Sequence, residues 1–411
     1  MQKLAKIRHA YYNREMPHTR ARRILELFET RLRLFPVVGI LGARQTGKST
    51  FLRDILSRVR STNYITLDRQ EAKANAMRQP TLFIQNLEEE KIKTVCIDEI
   101  QKAPVLFDTI KAEVDEKKRP GRFAISGSTE FSKKTGVNES LTGRISLLRI
   151  FPLNFSEIYQ KKSIFFLANP FKVNAIREES FLKHIQTTVD RGGMPGIFGI
   201  REKKIREALI EGWIETTCTR DLANFNIPRF NPDLARRILI ATAKAQVPNR
   251  TEISHAVGRT PRQIEAYFQA FKAIFVFYEI EPYPGSAGKS YFYILDSGIA
   301  GFAGSSFERC FEIWFLNECF SQFSYLGEMH PDVFYYESTR GSRIDFVIQA
   351  RKLKYAVKLI HEEAPSAYSF RGPEAFLKKH GNIPVLMAAP CLSFQKVHPN
   401  VRIVPWTALA V

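Results

Sequence analysis

Two glycines five residues apart, followed at once by lysine and serine, mark the stretch Gly42-Ala43-Arg44-Gln45-Thr46-Gly47-Lys48-Ser49. Glycine at both places lets successive backbone N–H groups turn inward around an anion, and the lysine adds a charge that reaches it. The stretch follows an apolar run, Pro36-Val37-Val38-Gly39-Ile40-Leu41, and opens a helical pattern over Thr50–Arg60. A helix start there adds a positive N-terminal field to the cradle. The spacing is that of a nucleotide-binding P-loop. Gly42, Ala43, Arg44, Gln45, Thr46, Gly47, Lys48, Ser49 and Thr50 are therefore expected to hold ATP, with Lys48 neutralising phosphate charge and the Ser49 hydroxyl a ligand for Mg²⁺.

A second constellation complements the first. Thr94-Val95-Cys96-Ile97-Asp98-Glu99 is an apolar strand ending in two carboxylates. An acid at a strand's carboxyl end sits beside a P-loop and holds Mg²⁺ through water, a role suited to Asp98. Glu99 is then placed to orient or deprotonate the water that attacks the γ-phosphate, which favours hydrolysis over transfer to a small-molecule hydroxyl. Phe123-Ala124-Ile125 ends in the hydroxyl-rich Ser126-Gly127-Ser128-Thr129. If that strand lies between the other two, Ser126 reaches the γ-phosphate or the water; the alternative is a Ser/Gly turn with no such role. Arg144, just before the run Ile145–Ile150, is either an arginine finger acting across a subunit interface or a local cap and ion-pair partner. Glu99, Lys48, Ser126 and Arg144 are thus the catalytic candidates, and Ser49 and Asp98 the metal candidates.

These residues need elements to position them. The 411 residues exceed the roughly 250–300 that one core sustains, so several domains are expected. At 44% hydrophobic and 25% charged the composition is globular, which excludes a disordered or fibrous chain. Lys plus Arg outnumber Asp plus Glu by 61 to 42, a net +19 that suits a polyanionic partner, nucleic acid or an anionic surface. No run approaches the roughly 20 apolar residues of a membrane span. The basic N-terminus (Met1–Tyr12) has no apolar core before a cleavage site, and the five cysteines are scattered without a CxxC pair. A cytoplasmic protein without a disulfide scaffold or zinc site is the expectation.

Short apolar runs at Pro36–Leu41, Tyr64–Leu67, Thr94–Ile97, Arg122–Ser126 and Ile145–Ile150 alternate with helical stretches. That alternation predicts a parallel α/β sheet, preceded by an amphipathic helix carrying Ile24, Leu27, Phe28 and Leu32. Residues 156–230 read as a helical connector. From 231 to 300 the order is helix (Asp233–Ala245), short helix (Glu252–Val257), a turn, a helix opened by Thr260-Pro261, and a hairpin of Val276–Glu281 and Tyr291–Leu295. That is the order of a winged helix. Residues 301–411 return to mixed α/β character, with strands predicted at Val333–Tyr336, Ile344–Ile348, Tyr355–Leu359 and Val385–Ala388.

The run Gly39–Thr50, together with Tyr64-Ile65-Thr66-Leu67-Asp68 and Asp98-Glu99-Ile100-Gln101-Lys102-Ala103-Pro104, resembles a widespread prokaryotic AAA-type ATPase family. Pro120-Gly121-Arg122-Phe123, Glu139-Ser140-Leu141-Thr142-Gly143-Arg144 and Phe151-Pro152-Leu153 continue the resemblance. Gly192-Gly193-Met194-Pro195, Thr219-Arg220-Asp221-Leu222 and Leu295-Asp296-Ser297-Gly298 are similar to landmarks of the family's C-terminal region of unknown function. The resemblance implies an AAA-type core over 1–155 that binds and hydrolyses ATP with Mg²⁺. It also implies a winged helix and a restriction-nuclease-like fold in the C-terminal region. Glu318, Asp345 and Lys358 fit three places of a PD-(D/E)xK nuclease, but Ala356 stands where the second strand needs its acid, so an inactive nuclease fold is expected.

Three functions compete on these residues. The first is an ATPase acting on or with double-stranded DNA, for which Arg259, Arg262, Gln263, Gln269 and Lys272 lie off the apolar face of the third helix. The second is a nucleotide-dependent signalling switch that controls a partner protein; a homo-oligomer or a partner protein is the further partner expected. The third, a small-molecule kinase, lacks a recognisable lid or acceptor site and is disfavoured by the Asp98-Glu99 pair.

Overall fold

The computed structural model describes residues 20–88, 91–130, 141–161, 165–171, 180–328, 331–350, 352–391 and 393–410. The basic opening run Met1–Tyr12, and Glu139 and Ser140 of the segment Glu139–Arg144, lie outside the described residues.

The lead-in helix spans Leu25–Leu34 and buries Phe28 and Leu32, with Ile24 buried just before it. It packs on a five-stranded sheet of β1 (Val37–Leu41), β2 (Thr62–Thr66), β3 (Thr94–Asp98), β4 (Phe123–Gly127) and β5 (Ile145–Arg149). The order is β2-β3-β4-β1-β5 and every pairing is parallel. The three central strands are buried along their whole length, as continuous apolar runs require when helices cover both faces. All five strands end at one edge, so the tips of β1, β3 and β4 are neighbours. The helix expected at 50–60 begins at Lys48 and runs to Arg58, passing through a π-helical turn at Phe51–Ile55.

Helices Ser180–Arg191 and Lys203–Thr216 follow, the second continuing through a π-turn, Thr217–Asp221. Next come helices Pro232–Lys244, Arg250–Ala256 and Pro261–Ala273, capped by Asn231, Asn249 and Thr260. The Thr260 cap is a full capping box with Gln263. The antiparallel hairpin of β6 (Phe277–Pro282) and β7 (Tyr291–Ile294) packs Phe277 and Phe292 on Phe268.

The helix Phe307–Tyr325 is buried on nearly all sides and forms a spine between the two halves of the molecule. The remaining strands are β8 (Asp332–Glu337), β9 (Arg343–Ala350), β10 (Leu353–Leu359), β11 (Val385–Ala389), β12 (Gln395–His398) and β13 (Val401–Pro405). They form one mixed sheet with the hairpin, in the order β12-β13-β11-β10-β9-β8-β6-β7. The join is parallel pairing of β6 with β8, Glu281 opposite Phe334 and Pro282 opposite Tyr335. The chain is thus mixed α/β, a parallel-sheet core followed by helices and a second, mixed sheet. Strands β12 and β13 were not predicted. All four residues of β12 are exposed, so no buried face imposes a period of two, and Pro399-Asn400 between the strands reads as a loop.

Candidate active site

The P-loop leaves β1 at Gly42, where an added Cβ would lie 2.4 Å from the Ile150 carbonyl oxygen. Gly47 closes it in the left-handed region at φ 95°, a conformation that favours glycine, and the helix starts at the next residue. Ser49 and Thr50 are half-buried in its first turn. Lys48 is buried, and its ammonium donates to the carbonyl oxygens of Gly42 at 2.9 Å and Ala43 at 2.8 Å. Burial pulls its pKa down, while Glu99 and Asp98 oppose that shift.

Asp98, at the tip of β3, is buried and accepts from two hydroxyls. Ser126 donates to Oδ1 and Tyr64 donates to Oδ2 at 2.8 Å. Burial, then the Asp98 charge, pushes the Tyr64 hydroxyl well above its usual pKa and keeps it a donor. Strand β4 does lie between β1 and β3, and it brings Ser126 to Asp98 and to the Glu99 amide, which donates to Ser126 Oγ at 3.2 Å. Glu99 turns the chain out of β3 at φ 57°, ψ 43°. Its Oε2 accepts from Ser128 Oγ at 3.1 Å and from the Gln101 amide, and Gln101 also donates to Ser128 at 3.1 Å.

Lys48, Ser49, Asp98, Glu99 and Ser126 are therefore brought to one sheet edge. Arg144 is not. It stands at the opposite end of the sheet, where its carbonyl accepts from Val37 N at 3.2 Å, and its guanidinium forks onto Asp115 at the far end of helix Val105–Glu116. Because β1 and β5 run parallel, the start of β5 is as far from the P-loop as β1 is long.

A cleft of about 550 Å³ opens beside these tips, lined by Arg44, Glu99, Gln101, Ser128, Trp213 and Asp221 among others. Arg44 makes two bonds to Asp221, Nε to Oδ2 at 2.8 Å and Nη2 to Oδ1 at 2.7 Å. Beneath the loop, buried Arg22 donates to the Thr46 carbonyl (2.7 Å), the Phe151 carbonyl (2.7 Å), Glu157 (3.0 Å) and the Tyr325 hydroxyl (3.1 Å). Tyr64, Gln101, Asp221 and Arg22 were not among the sequence-derived candidates. The first three stand inside the quoted motif segments; Arg22 reads only as surface charge on the lead-in helix.

Three other motifs meet in a knot beside the loop. Leu153 N donates to Gly193 O (2.7 Å) and Gly193 N to Asp296 Oδ2 (2.6 Å). Asp296 also accepts from the amides of Gly298 and Ile299, capping the helix Ser297–Ala303. A Cβ on Gly193 would lie 2.2 Å from Leu153 O, so only glycine lets these two backbone segments touch. Burial raises the Asp296 pKa to about 6 against those hydrogen bonds.

The expected nuclease frame is corrected in one member. Glu318 lies on the right helix, but its Oε1 accepts from Phe155 N at 2.7 Å, so it braces the segment after the parallel sheet. Asp345 is held by Lys358 at 3.1 Å and by Leu359 N at 2.7 Å. The helix acid tied to this group is Glu312, through Arg343, which lies 3.3 Å from Glu312 and 3.7 Å from Asp345. Among the described residues, no three His, Cys, Asp or Glu side chains are placed to share a metal ion.

With the strand order and loop geometry in view, the family comparison is decisive for one region: residues 34–159 match the model described as AAA domain. This stretch is an AAA-type P-loop domain. Beyond the AAA domain, residues 182–307 match a domain of unknown function (DUF8612). Uncharacterized proteins of Mycobacterium bovis and Mycobacterium tuberculosis are each 26% identical over 272 residues, 64% of this chain and 55% of theirs. The chain thus spans about half the length of the curated relatives it matches. Among solved structures, a Walker-type ATPase of Pyrococcus abyssi is similar at TM-score 0.44 and 16% identity, covering 68% of this chain and 94% of that one. RuvB of Thermotoga maritima follows at TM-score 0.30 and 15% identity, covering 62% and 85%. The AAA domain assignment rests on its sequence match and its strand order.

Proposed function

We propose that this chain binds ATP with Mg²⁺ and hydrolyses it, and that it does so on or with double-stranded DNA. The observation that carries the hydrolytic part is the convergence of Lys48, Asp98 and Glu99 at neighbouring strand tips. The donor set suits the metal: a hydroxyl at Ser49 and a buried carboxylate at Asp98, oxygen ligands of the kind Mg²⁺ takes. Ser49 and Asp98 would hold the ion, which when bound supplies positive charge at the phosphates. Lys48 would exchange its two loop carbonyls for phosphate oxygens. Glu99 would take the proton of the attacking water, with Ser126 fixing Asp98 and the Glu99 backbone. Replacing Lys48 by alanine should abolish ATP binding in calorimetric titration; undiminished affinity would refute the site.

The DNA part draws on the net charge and on the three helices and hairpin at 232–294, read as a winged helix between the connector and the inactive nuclease-like fold. Arg262, Gln263 and Gln269 are exposed on the third helix, and Arg259 is exposed in the turn before its Thr260 cap. ATP turnover measured with and without double-stranded DNA, at low and high salt, tests the coupling. A second reading, a nucleotide-dependent switch acting on a partner protein or second copy, draws on the Arg44–Asp221 pair, since it makes the loop's hold on the helical region sensitive to phosphate. No helix among the described residues is long and apolar enough to cross a membrane, and a cytoplasmic site of action accords with either reading.

A further inference from the structure

Asp98 and Glu99 account for metal and base, but a third side chain of the same turn has an arrangement that neither role uses. Gln101 follows Glu99 by two residues. In an extended strand both would face one side but stand far apart; here the left-handed Glu99 backbone starts a tight turn over Ile100–Lys102 that folds Gln101 back onto the Glu99 carboxylate. A non-glycine residue rarely takes that conformation, and where it persists the surroundings impose it, as the Glu99 N–Ser126 bond does here.

The chemistry of the Gln101 amide is directional. Its nitrogen donates to Glu99 Oε2 and to Ser128 Oγ. The nitrogen must be the atom on that side, because an amide oxygen against a carboxylate would repel it. Its oxygen, Oε1, is therefore turned the other way, and it is a buried acceptor with no hydrogen-bond partner in the protein. Leaving such an acceptor unsatisfied is unfavourable, and a group of this kind in a folded protein calls for an explanation, a catalytic role or a bound water among them. Gln101, Glu99 and Ser128 all line the 550 Å³ cleft.

We propose that Gln101 is a catalytic residue: its Oε1 accepts a hydrogen bond from the attacking water while its amide nitrogen, with Ser128, fixes Glu99 to take that water's other proton. The inference rests on the hydrolytic reading above and extends it to the water's orientation. The water oxygen bonds to the γ-phosphorus as the bond from that phosphorus to the β–γ bridging oxygen breaks, its electron pair leaving on ADP. One water proton passes to Glu99; the other stays on the phosphate formed, having been held by Gln101. Two acceptors at fixed positions define both O–H directions of a water and therefore the lone pair that points at phosphorus.

The test uses the full chain with Mg²⁺ and two probes, ADP alone and ADP with aluminium fluoride, whose planar adduct includes the attacking water's position opposite the ADP oxygen. Gln101→Met keeps the side-chain volume and removes both hydrogen-bonding atoms. It is expected to bind ADP within twofold of the parent chain, to bind the aluminium fluoride complex roughly 10-fold more weakly, and to lose roughly 100-fold in single-turnover hydrolysis. Gln101→Ala should behave alike, and unchanged thermal melting of either variant separates the effect from misfolding. Parent-like affinity for the aluminium fluoride complex, or hydrolysis as fast as or faster than the parent's, would overturn the proposal; a faster variant would make Gln101 a restraint on Glu99 instead. Glu99→Gln separates the two levels. If it still hydrolyses, the base assignment beneath the proposal fails; if it is inactive while Gln101→Met is normal, only the role of Gln101 fails.

Discussion

Arg44 of the P-loop and Asp221 of the π-turn after helix Lys203–Thr216 form a two-pronged ion pair, 177 residues apart in sequence. The hydrogen bonds it donates to Asp221 hold the Arg44 guanidinium charged more firmly than usual. The pair is one-third exposed on the arginine side, so its worth to stability is modest, about 1 kcal/mol or less. Its position gives it more consequence than its energy. Asp221→Ala should free Arg44 to face phosphate and raise ATP affinity several-fold, with little change in melting temperature. Calorimetric titration of the variant checks this, and weaker binding would mean that Asp221 instead holds the loop in its binding shape.

Arg22 predicts a stability effect of a different size. It is buried with four partners, and removing it leaves Glu157 as a buried carboxylate without its cation. Breaking such a pair costs about 3–5 kcal/mol. Arg22→Ala should lower the melting temperature by several degrees, and Arg22→Lys should recover only part of it, since one ammonium cannot reach all four acceptors.

Asp296 gives a pH dependence with a definite sign. Its pKa is about 6 in the fold against 3.8 for the free side chain, so the folded state holds the proton more tightly. The stability this group adds is fully present below about pH 3.8 and is lost as pH rises through about 6, a change of about 3 kcal/mol. Asp296→Asn cannot titrate, and its amide nitrogen cannot accept from Gly193 N. Urea midpoints at pH 5 and pH 7 should show the variant less stable at both, with the gap narrower at pH 7.

DNA affinity, on the proposed function, should fall steeply with salt. Charge reversal at Arg259 and Arg262 should weaken binding for all sequences alike, read by fluorescence anisotropy. Lys272 is a poorer test than its place in the sequence suggests, because it is paired with Glu279 on β6.

The C-terminal region, on the proposed reading of it as an inactive nuclease-like fold, should not cut DNA with Mg²⁺ or Mn²⁺, with or without ATP. Asp345 is bound to Lys358 and near Arg343, and Glu318 is committed to Phe155 N. Cleavage that vanishes in Asp345→Ala would reverse this assignment.

The P-loop, the acids at the end of β3 and the hydroxyls at the end of β4 were legible in the sequence because each is a short-range pattern. A glycine in the left-handed region, a helix start and an apolar strand bounded by polar residues are set by neighbours within a few positions. The three helices and hairpin at 232–294 were legible for the same reason, through caps and periodicity. Only the tertiary structure decided which distant charges meet. Arg22 finds Glu157 across 135 residues, Glu318 finds Phe155 across 163, and Arg144 finds Asp115 rather than the P-loop. It also decided that β6 continues into the C-terminal sheet. Such pairings carry no period and no spacing: they follow from burial, which drives most enclosed charges and amides to whichever partner the packing brings within reach.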